Sequence, residues 1–204
     1  MKSSVLVAAM SATMFFVTPL VHAELIRFHA KLNGLNEVPS NASPGIGLAE
    51  IEFDTTAHTM HVTADFSDLL GTVTVAHIHC CTPLPLTSTA GVATTTPTFP
   101  GFPAGITSGS YDQLFDLTQA SSFSAAFITA NGGTPAGAEA ALIAGSKIGR
   151  SYFNIHSNQF PGGEIRGFLV PEPTTLGLLA LGLVAGLVSR CRQRILTSPI
   201  QRGS

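Results

Sequence analysis

Two histidines stand one residue apart in Ala76-His77-Ile78-His79. On a strand, positions i and i+2 project from one face, about 6.6 Å apart along the axis. Two imidazoles so placed can converge on one metal ion, and a third from a neighbouring strand completes a site. The best third candidate is His156, at the end of Tyr152-Phe153-Asn154-Ile155-His156. His58 and His61 are further options on a separate strand start. Copper and zinc are the metals such donors suit, with redox chemistry open to the former. The plain alternative is that His77 and His79 bond to carbonyls of the loop that follows them.

Cys80-Cys81 comes next. Free thiols in an exported chain tend to oxidise, and adjacent cysteines can close only a vicinal disulfide within one chain. A reduced pair or a bridge between chains are the alternatives, and the vicinal disulfide is the expectation. C-x2-C spacing is absent, which argues against a structural zinc site. No G-x-S-x-G elbow, P-loop or H-E-x-x-H helix occurs. Asp65 and Asp68 read as a solvated turn, and Asn41-Ala42-Ser43 as a chance sequon. The expectation is a protein that is not an enzyme.

The elements that must position these side chains are strands. Ile26, Phe28, Ala30 and Leu32 alternate with Arg27, His29 and Lys31, and Met60, Val62, Ala64 and Phe66 alternate with His61, Thr63 and Asp65. Val73, Val75, His77 and His79 fall on one face of a third run, with Thr72, Thr74, Ala76 and Ile78 on the other. Further strands are predicted near residues 45–53, 110–117, 122–127, 151–156 and 164–170. Asn33-Gly34, Pro44-Gly45 and Pro161-Gly162-Gly163 supply turns. Residues 136–144 form the one helical patch. About eight short strands predict an all-β, antiparallel, Greek-key-like β-sandwich with one short helix. Residues 80–108, rich in proline and threonine, exceed the ~12–15 residues of a plain connection, so they are either functional or loosely ordered.

Composition bounds the function. Of 204 residues, 45% are hydrophobic and 11% charged, well below the ~25% charged of an ordinary soluble domain; apolar ends account for the difference. Ten Lys and Arg against twelve Asp and Glu exclude a nucleic-acid footprint. The span 24–170 carries five basic and eleven acidic side chains, which disfavours anionic partners.

Met1-Lys2, the apolar stretches 5–10 and 14–17 and the small residues around Ala23 predict a signal peptide over residues 1–23. At the other end, Pro171-Glu172-Pro173 precedes an uncharged run over 174–189, followed by Arg190, Arg192 and Arg194. As a helix that run would be about 24 Å long, a few residues short of the ~20 that span a bilayer. The arginines would hold its far end in the cytoplasm. This order of triplet, apolar helix and arginines resembles a PEP-CTERM sorting tail, over residues 170–194, with a short extension at 195–204. The resemblance implies a transient transmembrane helix and cleavage by an exosortase-type processing enzyme. It further implies a Gram-negative, exopolysaccharide-making bacterium.

Between the ends, Ala76-His77-Ile78-His79, the run Tyr152 to Ser157 and Phe160-Pro161-Gly162-Gly163-Glu164-Ile165-Arg166-Gly167 resemble the CHRD domain, first named from chordin. Phe28 to Pro39 fits its first strand and turn, so the resemblance covers residues 24–169. It implies an immunoglobulin- or superoxide-dismutase-like sandwich with no established catalytic activity. Glu164 and Arg166, two apart on the last strand, are expected to share a face and could form an ion pair. The functional expectation is an exported, membrane-tethered, non-enzymatic component of the cell surface or matrix. After tail cleavage its partner would be exopolysaccharide or a surface protein. The alternative is a copper- or zinc-binding sandwich using His77, His79 and His156.

Overall fold

The computed structural model describes residues 25–172. The expected signal peptide, Pro173 and the expected membrane helix with Arg190, Arg192 and Arg194 lie outside the described residues. Among the described residues no helix is long and apolar enough to cross a membrane.

Eight antiparallel strands build the domain: β1 (Leu25–Asn33), β2 (Ile46–Asp54), β3 (Thr59–Ser67), β4 (Val73–Cys80), β5 (Gly109–Asp116), β6 (Ser151–Ser157), β7 (Ile165–Phe168) and β8 (Val170–Pro171). The hydrogen-bonded order is β4-β6-β7-β1-β2-β3-β5, with β8 on β1. The all-β antiparallel class is the one the alternation predicts, but the count of eight is reached differently, since the strand predicted at 122–127 does not form and the one predicted at 164–170 is divided into β7 and β8. All eight strands belong to one continuous sheet curled into a half-barrel. Its two flanks, β1-β2-β3-β5 and β4-β6-β7, face each other across the core as the layers of a sandwich do. The meander β1-β2-β3 passes to β4 on the far flank and returns to β5 beside β3, a Greek-key-like path.

Period-two patterning explains the core. Phe28, Ala30 and Leu32 of β1, Ala49, Ile51 and Phe53 of β2, and Met60, Val62, Ala64 and Phe66 of β3 are all buried. On β4 the pattern slips. Ala76, Ile78 and Cys80 face the core, and Val73, expected on the opposite face from Ala76 and Ile78, does too. A register irregularity between Val73 and Val75 shifts the phase, so Val73 does not share the face of His77 and His79.

The strand predicted over residues 122–127 does not form: Ser122 ends a 3-10 turn, Phe123 makes a single bridge to Thr94, and the helix begins at Ala125. Ser124 accepts from the Phe127 N–H and caps α1 (Ala125–Ala130), because Ala-Ala after a serine favours a helix start over an extended run. The second helix, α2 (Pro135–Lys147), contains the predicted 136–144 patch and outlasts it at both ends. Thr134 caps it by accepting from Gly137 N–H, and Pro135 sits in its first turn. Among the described residues there are thus two α-helices where one was expected.

The long β4–β5 connection is ordered against the sheet. Ala93 N–H donates to Ile78 O and Phe99 N–H to Ala76 O, both at 2.9 Å. The hydroxyls of Thr94 and Thr98 accept from Ile78 and Ala76 N–H at 2.9 Å. The segment therefore satisfies the edge of β4 that has no strand neighbour. It also drives two rings into the mouth of the curl. Phe99 lies 5.8 Å from Phe153 on β6 and 5.2 Å from Phe115 on β5, and Phe102 lies 4.9 Å from Tyr111. Each buried ring contributes roughly 1.5–3 kcal/mol, and Phe99 ties the two flanks together.

Candidate metal centre

β4 and β6 pair with His77 opposite Asn154, His79 opposite Tyr152 and Val75 opposite His156. His77, His79 and His156 consequently meet on the face of the sheet turned away from the core. Their ring centroids are 4.6 Å (His77–His79), 4.8 Å (His77–His156) and 6.1 Å (His79–His156) apart. One ring nitrogen from each lies within 4.8 Å of the others. All three are buried, at 5%, 9% and 8% exposure, beneath the loop of Ser88–Ala90 and the Pro161–Gly163 turn.

Two backbone carbonyls orient the rings. His79 Nδ1 donates to Ala90 O at 2.8 Å and His156 Nδ1 to Pro161 O at 2.9 Å. A carbonyl can only accept, so the proton sits on Nδ1 and leaves each Nε2 with a lone pair. Among the described residues, the buried side-chain nitrogens and oxygens without a hydrogen-bond partner are His77 Nδ1, His79 Nε2 and His156 Nε2. Buried polar atoms ordinarily find partners. Three unpartnered nitrogens, one on each of three adjoining rings, fit a metal-ligand set with carbonyls as outer supports.

Burial pushes the pKa of His77 down to about 3, with His79 and His156 adding to the effect. Burial likewise lowers His79 to about 4 and depresses His156. The rings are neutral at neutral pH, the form that ligates.

A wall of cross-strand neighbours backs the centre. Tyr152 stacks on His79 at 4.7 Å with ring planes 6° apart. The guanidinium of Arg166 lies 4.6 Å from the Tyr152 ring centroid, a cation–π contact. Arg166 donates to Asn36 O and, at 3.1 Å, to Ser88 O. It pairs with buried Glu37 at 3.8 Å. Asn154 Nδ2 donates to Glu37 Oε1 at 2.6 Å. Burial raises Glu37 to about 7, against the pull of Arg166 and Asn154. Gly163, at φ +128°, passes so close that a Cβ there would lie 2.7 Å from Glu37 Oε1.

Other candidates separate from this cluster. His58 bonds to Glu139 on α2 at 2.9 Å, and His61 to Asp112 on β5 at 2.7 Å; neither reaches the centre. Cys80 and Cys81 are joined as a vicinal disulfide. Their sulfurs point away from the histidines toward α2, where a Cβ on Gly145 would meet Cys81 Sγ at 2.4 Å and Cys80 Sγ at 2.6 Å. The Glu164–Arg166 pair expected on one face does not form. Glu164 turns instead to Ser43 Oγ (2.6 Å) and Gly71 N–H (3.1 Å), because it precedes β7 and lies in the turn rather than in the ladder. Sequence reasoning missed Glu37 and Tyr152 as a supporting layer. The alternation of Asn154-Ile155-His156 puts Asn154 on the face of His156, and that was the available signal for its place beside the β4 histidines.

The family model of the CHRD domain matches residues 28–169, and that of the PEP-CTERM protein-sorting motif matches residues 169–193. No curated protein and no solved structure matches the chain. The sorting motif, which contains Pro171, Glu172 and Pro173, marks an exported, membrane-anchored precursor processed by an exosortase. With 142 consecutive residues under one family model, containing both β4 histidines and His156, the chain belongs to the CHRD-domain family.

Proposed function

We propose that the mature domain is a non-enzymatic binding component of the cell surface or exopolysaccharide matrix of a Gram-negative bacterium. Its working part is a transition-metal centre for copper or zinc at His77, His79 and His156. The carrying observation is the set of three buried, unpartnered imidazole nitrogens. Leaving one buried polar atom unsatisfied costs about 1–3 kcal/mol, so three together are a standing cost that a bound cation removes. The Nδ1–H tautomers of His79 and His156 and the neutral charge state suit ligation without rearrangement. Redox activity is the second reading, and it depends on copper being the ion held.

Metal analysis of the full-length chain after incubation with Cu or Zn salts tests the proposal. One equivalent should be retained by the wild type and lost by the His77→Ala, His79→Ala double variant. No retained metal in the folded wild type would refute the centre. For the surface role, cell fractionation and the mass of the processed protein should show loss of the segment after the Pro-Glu-Pro triplet and retention outside the cell. Full-length protein found only in the cytosol would refute it.

A further inference from the structure

Resting on the metal reading above, we infer that the centre is built for a monovalent ion, Cu(I), and discriminates against Zn(II). Charge decides it. The three donors are neutral imidazoles, and among the described residues no Asp, Glu or Cys joins their cluster. The neighbouring sulfurs of Cys80 and Cys81 are bonded to each other and face Gly145 on the opposite side of β4.

The charged group that acts on His79 is a cation, Arg166. Glu37, the acid paired with that guanidinium, is engaged with Arg166 and Asn154. An ion entering this buried site therefore keeps its whole charge. The idealised cost of burying a charge grows as its square, so a dication is penalised about four times as heavily as a monocation. The guanidinium adds repulsion that also doubles with the ion's charge.

Coordination number points the same way. Zn(II) sites are almost always four-coordinate, and Cu(II) favours a tetragonal set of N or O donors. Three nitrogens satisfy either ion only with a further donor, such as the water that completes a three-histidine zinc site, for which this buried cluster would have to make room. A d10 monocation such as Cu(I) is satisfied by two or three nitrogen donors. The stacked Tyr152 ring and the carbonyl-fixed His79 and His156 leave little room for the set to widen. The class of ligand is thus reduced copper, held without a change of charge on the protein.

The test is competition on the metal-free full-length chain in mild detergent. Cu(I) is titrated anaerobically against bicinchoninate, and Zn(II) against a zinc-binding chromophore. The expected result is one equivalent of Cu(I) bound at least 100-fold more tightly than Zn(II), with an X-ray absorption edge of three-coordinate Cu(I). His156→Asp places a carboxylate in the cluster and should move the ratio at least tenfold toward Zn(II). Zn(II) bound as tightly as Cu(I) by the wild type overturns the inference while leaving a metal centre standing. Failure to bind either ion overturns both. Should His156→Asp not fold by circular dichroism, the wild-type ratio decides alone. A folded His156→Asp with an unchanged ratio overturns the charge argument.

Discussion

His79 and Tyr152 are directly opposed residues on β4 and β6 whose rings lie face to face, 4.7 Å apart and 6° from parallel. They also share one backbone residue. Ala90 O accepts from His79 Nδ1 at 2.8 Å, while Ala90 N–H donates to the Tyr152 hydroxyl at 3.2 Å. The tyrosine therefore holds the imidazole through its ring and the carbonyl that orients it through its hydroxyl. The two roles separate by substitution. Tyr152→Phe keeps the stack, removes the two hydrogen bonds of the hydroxyl to Ala90, at 3.2 and 3.4 Å, and should cost about 1–2 kcal/mol in urea unfolding. Tyr152→Ala removes the stack and the Arg166 contact and should cost about 3–5 kcal/mol. Metal affinity should survive the first change and fall at least tenfold in the second; equal losses in both would contradict a separate role for the ring.

On the other face of β4, Gly145 is the surface on which the Cys80 and Cys81 sulfurs rest. Gly145→Ala would put a methyl group 2.4 and 2.6 Å from them, so something must shift, at about 1–3 kcal/mol for overpacking. Shrinking both cysteines to alanine should make the added methyl nearly neutral. A double-mutant cycle by thermal unfolding measures the coupling. Additive costs would mean that the sulfurs do not press on α2.

What could be read in the sequence, and what could not, follows from the range of the interactions. The buried faces of β1, β2 and β3 and the meeting of His77 with His79 are consequences of local period-two geometry, legible from spacing alone. His156 was reachable because the run Tyr152–His156 alternates as a strand. Glu37 was not, since it reaches Asn154 across 117 residues and looks like an ordinary loop acid. Phe99 and Phe102 sit in a segment with no period, and only the fold shows that they close the curl. The strand predicted at 122–127 failed because Ser-Phe-Ser alternates locally, whereas capping by Ser124 starts a helix there.

Glu164 makes a different kind of long-range tie. Fully buried, its carboxylate accepts from Ser43 Oγ, Leu70 N–H and Gly71 N–H, fastening two loops to the turn before β7. Glu164→Ala leaves the two backbone donors without an acceptor and should cost about 2–4 kcal/mol. Glu164→Gln keeps one acceptor oxygen but turns an NH2 toward a donor, so it should lose part of that. Hydrogen exchange at Leu70 and Gly71 should accelerate in both variants. Unchanged exchange there would mean that the loops are held by other contacts.

Acid should weaken the metal-free fold, and the direction follows from where protons bind. Burial lowers His77 to about 3 and His79 to about 4 and depresses His156, whereas unfolded imidazoles titrate near 6.5. Below that pH the unfolded chain takes up protons that the folded chain refuses, so stability present at neutral pH is lost as pH falls toward 3. Glu37 acts in opposition. Raised to about 7 by burial, it holds a proton in the fold between about 4.5 and 7 that the unfolded chain lacks. Its contribution is therefore present in acid and lost as pH rises through 7. Three histidines outweigh one carboxyl, so the urea midpoint should fall between pH 6.5 and 4.5. Glu37→Gln should make that fall steeper, because the opposing proton is gone. A wild-type midpoint that stays level across this range, or a Glu37→Gln profile no steeper than the wild type, would contradict a buried, neutral histidine cluster balanced by a protonated glutamate.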